Sequence, residues 1–370
     1  MLMKDASLTF FQVVCILMLT IGLMNHVIVI PILLDAAKRD AWISVILAGV
    51  FFIVWVCLLY SAVAKTRKQN LFLLLKRAYH PAISNILAAI ACVYLFMMCA
   101  ITMRDTVTWI HVAFSPKMPT IFIAFMLACI CLCNAYLGIR SIANTAVLFL
   151  PLVIFLGFFV MSANYTHKSY ILLKPFLEYG MLPVWKGVVF VGAGLIELII
   201  LLFMQQHIRS KYSLLSLLIF AVILIGLTFG PVTGAIAEFG PEQSEKLRYP
   251  AYEEWRLVNI GRYIEHMDFL SIYQWFSGAF IRMSLTIFLI VDILQLKSKA
   301  KRMMVLVLLF SLLVAIAVLP FSDNVFLDML TAHILPFMFY TMVVYSFVVI
   351  VLVNWSSRRR GMIHEEKKGD

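Results

Sequence analysis

Apolar stretches of about 20 residues recur from Leu8 almost to the end of this chain, each long enough to cross a hydrocarbon core of about 30 Å as a helix. Short polar or Pro- and Gly-bearing runs separate them. This pattern predicts ten spans, at 8–34, 41–64, 83–103, 119–137, 141–163, 184–206, 213–237, 268–295, 302–321 and 330–354. The first is too long for the core of a signal peptide and lacks a small-residue cleavage site, so it is expected to stay as a helix. Asn70 is placed to cap a short helix, Leu71 to Tyr79, whose leucines and Lys76/Arg77 suit a membrane surface, and Pro81 ends it. One long polar stretch, Glu238 to Met267, is predicted to be a compact outer loop with some helix.

Two spans are interrupted at matching places. The first reads Leu19-Thr20-Ile21-Gly22-Leu23-Met24-Asn25-His26 with Pro31 beyond, and the sixth reads Val191-Gly192-Ala193-Gly194-Leu195-Ile196-Glu197. Gly22 and Gly192 stand 170 positions apart, close to half the chain. Five spans per half is an odd number, so the second half enters from the opposite side. The expected fold is therefore an all-α membrane protein of about ten helices in a five-plus-five inverted repeat with broken first and sixth helices. It reads as a single domain over 1–370, with a first repeat at 8–163, a second at 184–354 and a tail at 355–370. Glycines in membrane helices also serve close packing, and that reading stands beside the functional one.

Composition agrees with this pattern: 63% of the 370 residues are hydrophobic and 13% are charged, against about 25% charged in soluble domains. The net charge of +11 raises the possibility of nucleic-acid binding, but the basic residues cluster between the spans. With the N-terminus cytoplasmic, inner segments hold 18 of the 30 basic residues. Among them are Lys4, Lys65, Arg67, Lys68, Lys297, Lys299 and the tail group Arg358, Arg359, Arg360, Lys367 and Lys368. The rule that short inner loops are positive then places both termini in the cytoplasm, with the tail near anionic headgroups. The seven cysteines all fall in apolar stretches, and the Cys129, Cys131, Cys133 spacing turns neighbours to opposite helix faces, which argues for packing over a metal cluster. No nucleotide loop, zinc helix or nucleophile elbow is present, so neither an enzyme nor a cofactor or metal is expected.

The opening TIGLMNHVIVIPILLDAAKRDAWISVILAG resembles amino acid permeases of the five-plus-five class. The run YPAYEEWRLVNIGRYIEHMDFLSIYQWFSGAFIRMSLTIFLIVDILQL, Tyr249 to Leu296, resembles more narrowly the B-subunit family of spore nutrient-germinant receptors, as does the stretch Gly194 to Glu197. The resemblance implies a germinant-sensing subunit in the spore inner membrane that binds a small nutrient, commonly an amino acid. It also implies two partners, a membrane-attached A-type subunit and a C-type lipoprotein. The alternative is a proton- or sodium-coupled amino acid permease, which uses the same pocket.

An amino acid needs half-helix amides for its carboxylate, carbonyls or a carboxylate for its amine, and an apolar pocket. Thr20, Gly22 and Asn25 with Gly192, Gly194 and Glu197 frame the polar end. The fold brings spans three and eight alongside, which adds Tyr94 and Met98, four apart on one face, and Ser284 and Phe288 on another. Glu197 and Arg282 lie at similar depth. They read equally as a buried ion pair holding span six to span eight and as a carboxylate that meets a ligand amine or proton. Arg104/Asp105 read as a solvated helix end, Asp292 as a structural group near the lysines after it, and His26 and His333 as hydrogen-bonded packing residues rather than a proton relay.

Overall fold

Across a bilayer the backbone finds no water, so each crossing satisfies its own polar groups as helix. The computed structural model describes residues 8–66, 68–259, 266–296 and 298–369, with side chains through Ser356. Lys4, Arg67 and Lys297, used above in the charge argument, lie outside the described residues, as do the side chains of Arg358, Arg359, Arg360, Lys367 and Lys368 and residues 260–265 of the long loop.

Helix α1 (Phe10–Leu23) starts at a capping box in which Thr9 Oγ1 accepts from the Gln12 N–H at 3.3 Å and Gln12 Oε1 accepts from the Thr9 N–H at 2.9 Å. It passes through a π-turn, Met24–Ile28, into α2 (Val29–Ala37). The chain turns at Lys38, whose φ is 52°, and returns as α3 (Ala41–Thr66). Nearly continuous helix thus runs for 57 residues, Phe10–Thr66. At 1.5 Å per residue that is roughly 85 Å, far more than one crossing. Taken as two, it brings the nine long apolar helical segments among the described residues to ten crossings.

Next come α4 (Leu71–Ala78), α5 (Pro81–Ala113), α6 (Thr120–Leu137), α7 (Ile139–Ala163) and α8 (Met181–Leu195). A 3-10 turn, Ile196–Ile199, joins α8 to α9 (Ile200–Met204). The remainder is α10 (Leu214–Phe239), α11 (Pro241–Ser244), α12 (Pro250–Arg256), α13 (Leu270–Ile293), α14 (Lys299–Ala317), α15 (Asp323–Met329) and α16 (Leu335–Gly369). A second π-turn, Leu330–Ile334, which the sequence pattern did not suggest, joins α15 to α16. Asn70 Oδ1 accepts from the Leu73 N–H at 3.1 Å, the cap expected for α4. The long polar stretch contains α11 and α12, both entered through proline at the first turn, where its missing N–H costs nothing.

The runs Met181–His207 and Met267–Ile293 are buried on nearly all sides, whereas α7, α10 and α14 keep broad apolar surface outward. The sixth and eighth spans therefore form the centre, and α1, α3 and α5 pack on them. Polar ties link the loops of one face: Lys38 to Glu245 at 3.5 Å, Arg39 to Glu178 at 3.4 Å, and the Leu177 N–H to Asp40 Oδ1 at 2.9 Å. The opposite face has its own: Gln205 Nε2 donates to Gln69 O at 3.1 Å, the Arg209 N–H to Leu8 O at 2.8 Å, and Lys65 Nζ to Asn354 Oδ1 at 2.7 Å. With ten crossings, Phe10 and Ser356 share a face.

Arg104 and Asp105 need correcting. Helix α5 continues to Ala113, well past the expected end at 103, so both residues are interior and buried. Arg104 donates to the carbonyls of Ala317, Leu319 and Phe321 at 2.7, 3.0 and 2.6 Å, holding the turn between α14 and α15. Asp105 pairs with Arg248 at 2.5 Å, and Arg248 also reaches Asp323 at 2.7 Å. Replacing Arg248 by Gln removes the cation over a buried carboxylate and is expected to cost about 1–3 kcal/mol, while Asp323→Asn costs less because that carboxylate is the more exposed of the two. Thermal unfolding of the two purified variants gives the order, and equal losses would refute it.

Candidate functional site

The first break follows Gly22. A Cβ there would stand 3.0 Å from Leu227 Cδ2 of α10, so the bare Cα lets α10 approach as the helix widens into the π-turn. Such single π-turns are frequent at functional sites. Asn25 sits on the turn, 1% exposed, and neither Oδ1 nor Nδ2 has a hydrogen-bond partner. The second break is tighter, the 3-10 turn that follows Gly192 and Gly194. The bare face of Gly192 takes the edge of the Phe339 ring from α16, whose Cε2 would lie 2.5 Å from an added Cβ. The bare face of Gly194 takes the Asn25 carboxamide itself, whose Cγ would lie 2.6 Å from a Cβ. The two breaks therefore touch, Asn25 against Gly194.

Beside this contact the fully buried Arg282 of α13 uses all five of its N–H groups within the protein. Nε donates to Thr102 Oγ1 at 2.8 Å, and Nη1 to the Thr20 carbonyl at 2.9 Å. Nη1 and Nη2 grip the two oxygens of Glu197 as a fork, the Nη2 bond being 2.6 Å, and Nη2 also meets Met24 Sδ at 3.6 Å. Glu197 is buried as completely as Arg282. One guanidinium thus joins α1, the first break, α5 and the second break to α13. Tyr94 of α5 lies within electrostatic reach of both charges, and its buried hydroxyl has no partner. Met98, one turn further, is wholly buried.

A family model described as spore germination protein, of the spore permease type, matches residues 7–326. The chain belongs to the spore germination protein family. It is 44% identical over 351 residues to spore germination protein XB of Bacillus anthracis, covering 95% of this chain and 98% of that one. It is also 24% identical over 249 residues to spore germination protein A2 of Bacillus subtilis (strain 168), covering 65% and 66%. The chain is an integral membrane protein of a permease-like family, and that family is not one of enzymes.

In this spore germination protein, Thr20, Gly22, Asn25, Gly192, Gly194, Glu197, Tyr94 and Met98 gather around the breaks. Ser284 and Phe288 do not. Residue 284 is turned about 200° from 282 on a helix of 3.6 residues per turn, and its hydroxyl points to α6, 3.4 Å from Cys131 O. Phe288 packs on the His207 ring with centroids 5.7 Å apart, well towards the other face. There Asp292 Oδ2 accepts from Gln206 Nε2 at 2.8 Å and lies 3.0 Å from His207 Nε2, both at the end of the sixth span. His26 Nδ1 donates to Leu227 O at 3.2 Å, while His333 is exposed on the second π-turn. Sequence reasoning missed Thr102 and Met24 as partners of Arg282. Thr102 carries a usable signal, because it stands one turn from Met98 on the face already singled out.

Proposed function

We propose that this protein is the nutrient-sensing subunit of a spore germinant receptor, binding a small amino acid where its two helix breaks meet. Asn25 carries the reading. A buried carboxamide that makes no hydrogen bond is costly, and native proteins rarely leave one without a partner. Its amide N–H groups suit a carboxylate and its carbonyl an ammonium, so a bound amino acid satisfies both, and the unpartnered Tyr94 hydroxyl adds a third contact. Arg282 is fully engaged and serves as scaffold rather than carboxylate anchor. Glu197, held by the same fork, is likewise kept from the ligand while the pair is closed.

The remaining parts follow the family resemblance and the distribution of charge. The chain is a single domain of two inverted repeats, 8–163 and 184–354, in the spore inner membrane, with both termini cytoplasmic. Its partners are the A-type membrane subunit and the C-type lipoprotein, which read a change of conformation that the nutrient biases through differential affinity for two states. A complete switch from 1:99 to 99:1 takes about 5.5 kcal/mol of that differential. The test is reconstitution of the purified protein in vesicles under proton and sodium gradients, comparing binding of amino acids with their uptake. Saturable binding without accumulation is expected. Asn25→Ala should weaken it roughly tenfold to a hundredfold, the loss of one to two hydrogen bonds to a charged ligand. Gradient-driven accumulation by this chain alone would establish the permease instead.

A further inference from the structure

A second buried polar cluster lies on the opposite side of α12 from solvent. Helix α12 packs against α10, α13 and the first break, Met24–Ile28. Beneath its flank Tyr249, Tyr252, Trp109 and Trp275 form an aromatic seat, with the two indoles stacked at 4.1 Å. The Glu254 side chain of α12 points inward onto the bare face of Gly234 in α10. A Cβ there would stand 3.2 Å from Glu254 Oε1 and 3.4 Å from Lys168 Nζ. One turn along α10, Glu238 holds a carboxylate 3.3 Å from the same ammonium, both side chains being 4% exposed or less. Asn164 Nδ2 donates to the Glu254 carbonyl at 2.7 Å.

The hydrogen bonds here do not balance. Glu254 Oε1 and Asn164 Oδ1 are buried acceptors without a hydrogen-bond donor, and the two Glu238 oxygens have only the Lys168 ammonium beside them. Two carboxylates against one ammonium also leave one net negative charge where water is excluded. A second metal-like cation is disfavoured by the ammonium already in place. A proton answers both deficits, since it cancels the charge and turns one carboxylate oxygen into the missing donor.

We propose that Glu254 is a proton-binding site, built with Glu238, Lys168 and Asn164, whose occupancy latches α12 over the first helix break. Burial, and next the charge of Glu238, push its carboxyl up to about 8 against the pull of Lys168. Other charged groups on the packed elements are engaged elsewhere: His26 with Leu227 O, Asp268 with the Tyr252 hydroxyl, and Arg256 with Glu253. The sign follows from proton uptake. The latched form holds a proton that an open, solvated Glu254 releases near its ordinary 4.5, so the latch is strongest below 4.5 and weakens as pH rises to about 8. That α12 thereby controls entry of a nutrient to Asn25 rests on the function proposed above; the proton site itself does not.

The test uses the full chain in lipid vesicles without any nutrient, so it can fail or succeed independently of amino acid binding. Infrared difference spectra should show the carbonyl stretch of a protonated carboxylic acid that titrates away near pH 8 and is absent from Glu254→Gln. Val258, buried just after α12, is replaced by Cys and its maleimide labelling followed, corrected for the parent chain. The ratio of labelling rates between chains with native Glu254 and with Glu254→Gln, at equal pH, cancels the titration of the thiol. It should be near one at pH 4.5 and rise roughly tenfold or more by pH 8, as a linkage of at least one pH unit requires. Glu238→Gln removes the neighbouring negative charge and should move the infrared titration to lower pH. An infrared band that survives in Glu254→Gln, a flat labelling ratio, or a titration unmoved in Glu238→Gln would each overturn the proposal. Melting temperatures of both glutamine variants confirm that they fold.

Discussion

Gly194→Leu is expected to abolish the nutrient response of spores while lowering the amount of protein much less. Even a methyl at this position overlaps the Asn25 carboxamide, so the side chain proposed to meet the ligand must swing away or the two breaks must part. Overpacking of this kind costs about 1–3 kcal/mol, enough to weaken a site without preventing insertion of the whole bundle. Gly192 gives the contrast. Its bare face meets the edge of the Phe339 ring rather than a polar group, so Gly192→Ala should be rescued in part by Phe339→Leu. No change at Phe339 should rescue Gly194→Ala. Germination rate and immunoblot abundance, measured on the same spores, separate the two outcomes. A response that falls only in step with abundance would mean that both glycines serve packing alone.

The second large effect concerns the fork between Arg282 and Glu197. Arg282→Met strands a fully buried carboxylate and three further acceptors, Thr102 Oγ1, the Thr20 carbonyl and Met24 Sδ, and is expected to cost about 3–5 kcal/mol. Glu197→Leu strands the cation to a similar extent. The double variant, Arg282→Met with Glu197→Leu, should recover most of the loss, since a buried pair replaced by apolar groups of similar volume is often neutral. Thermal unfolding in detergent, with membrane abundance as a check, provides the comparison. Single variants as stable as the native chain would mean that the pair does not hold the bundle together.

These two sites show what could be read from the chain. Span number and order were legible because the bilayer demands long apolar helices whatever their neighbours, and the Asn70 cap was legible because capping is local. Both breaks were visible as glycines among larger residues. Their geometry was not, since whether a helix widens at Met24 or tightens at Ile196 is settled by what packs there, Leu227 against Gly22 and Phe339 against Gly192. Arg104 and Asp105 were misplaced for a related reason. Polar residues in the last third of α5 read as a solvated helix end, yet they face partners from α14, the turn after it and the segment before α12 that lie far along the chain. Helical phase explains Ser284, which shares a helix with Arg282 but looks towards α6.

The closed fork between Arg282 and Glu197 also bears on how the protein behaves in an energised membrane. A full charge carried across the bilayer feels about 2.3 kcal/mol per 100 mV. Here the two full charges at the centre of the bundle are bound to each other, so a tilt or slide that moves α13 together with the second break carries no net charge of this pair through the field. Kept intact, the fork itself is thus electrically silent. The electrical potential across the membrane then finds no purchase on this pair.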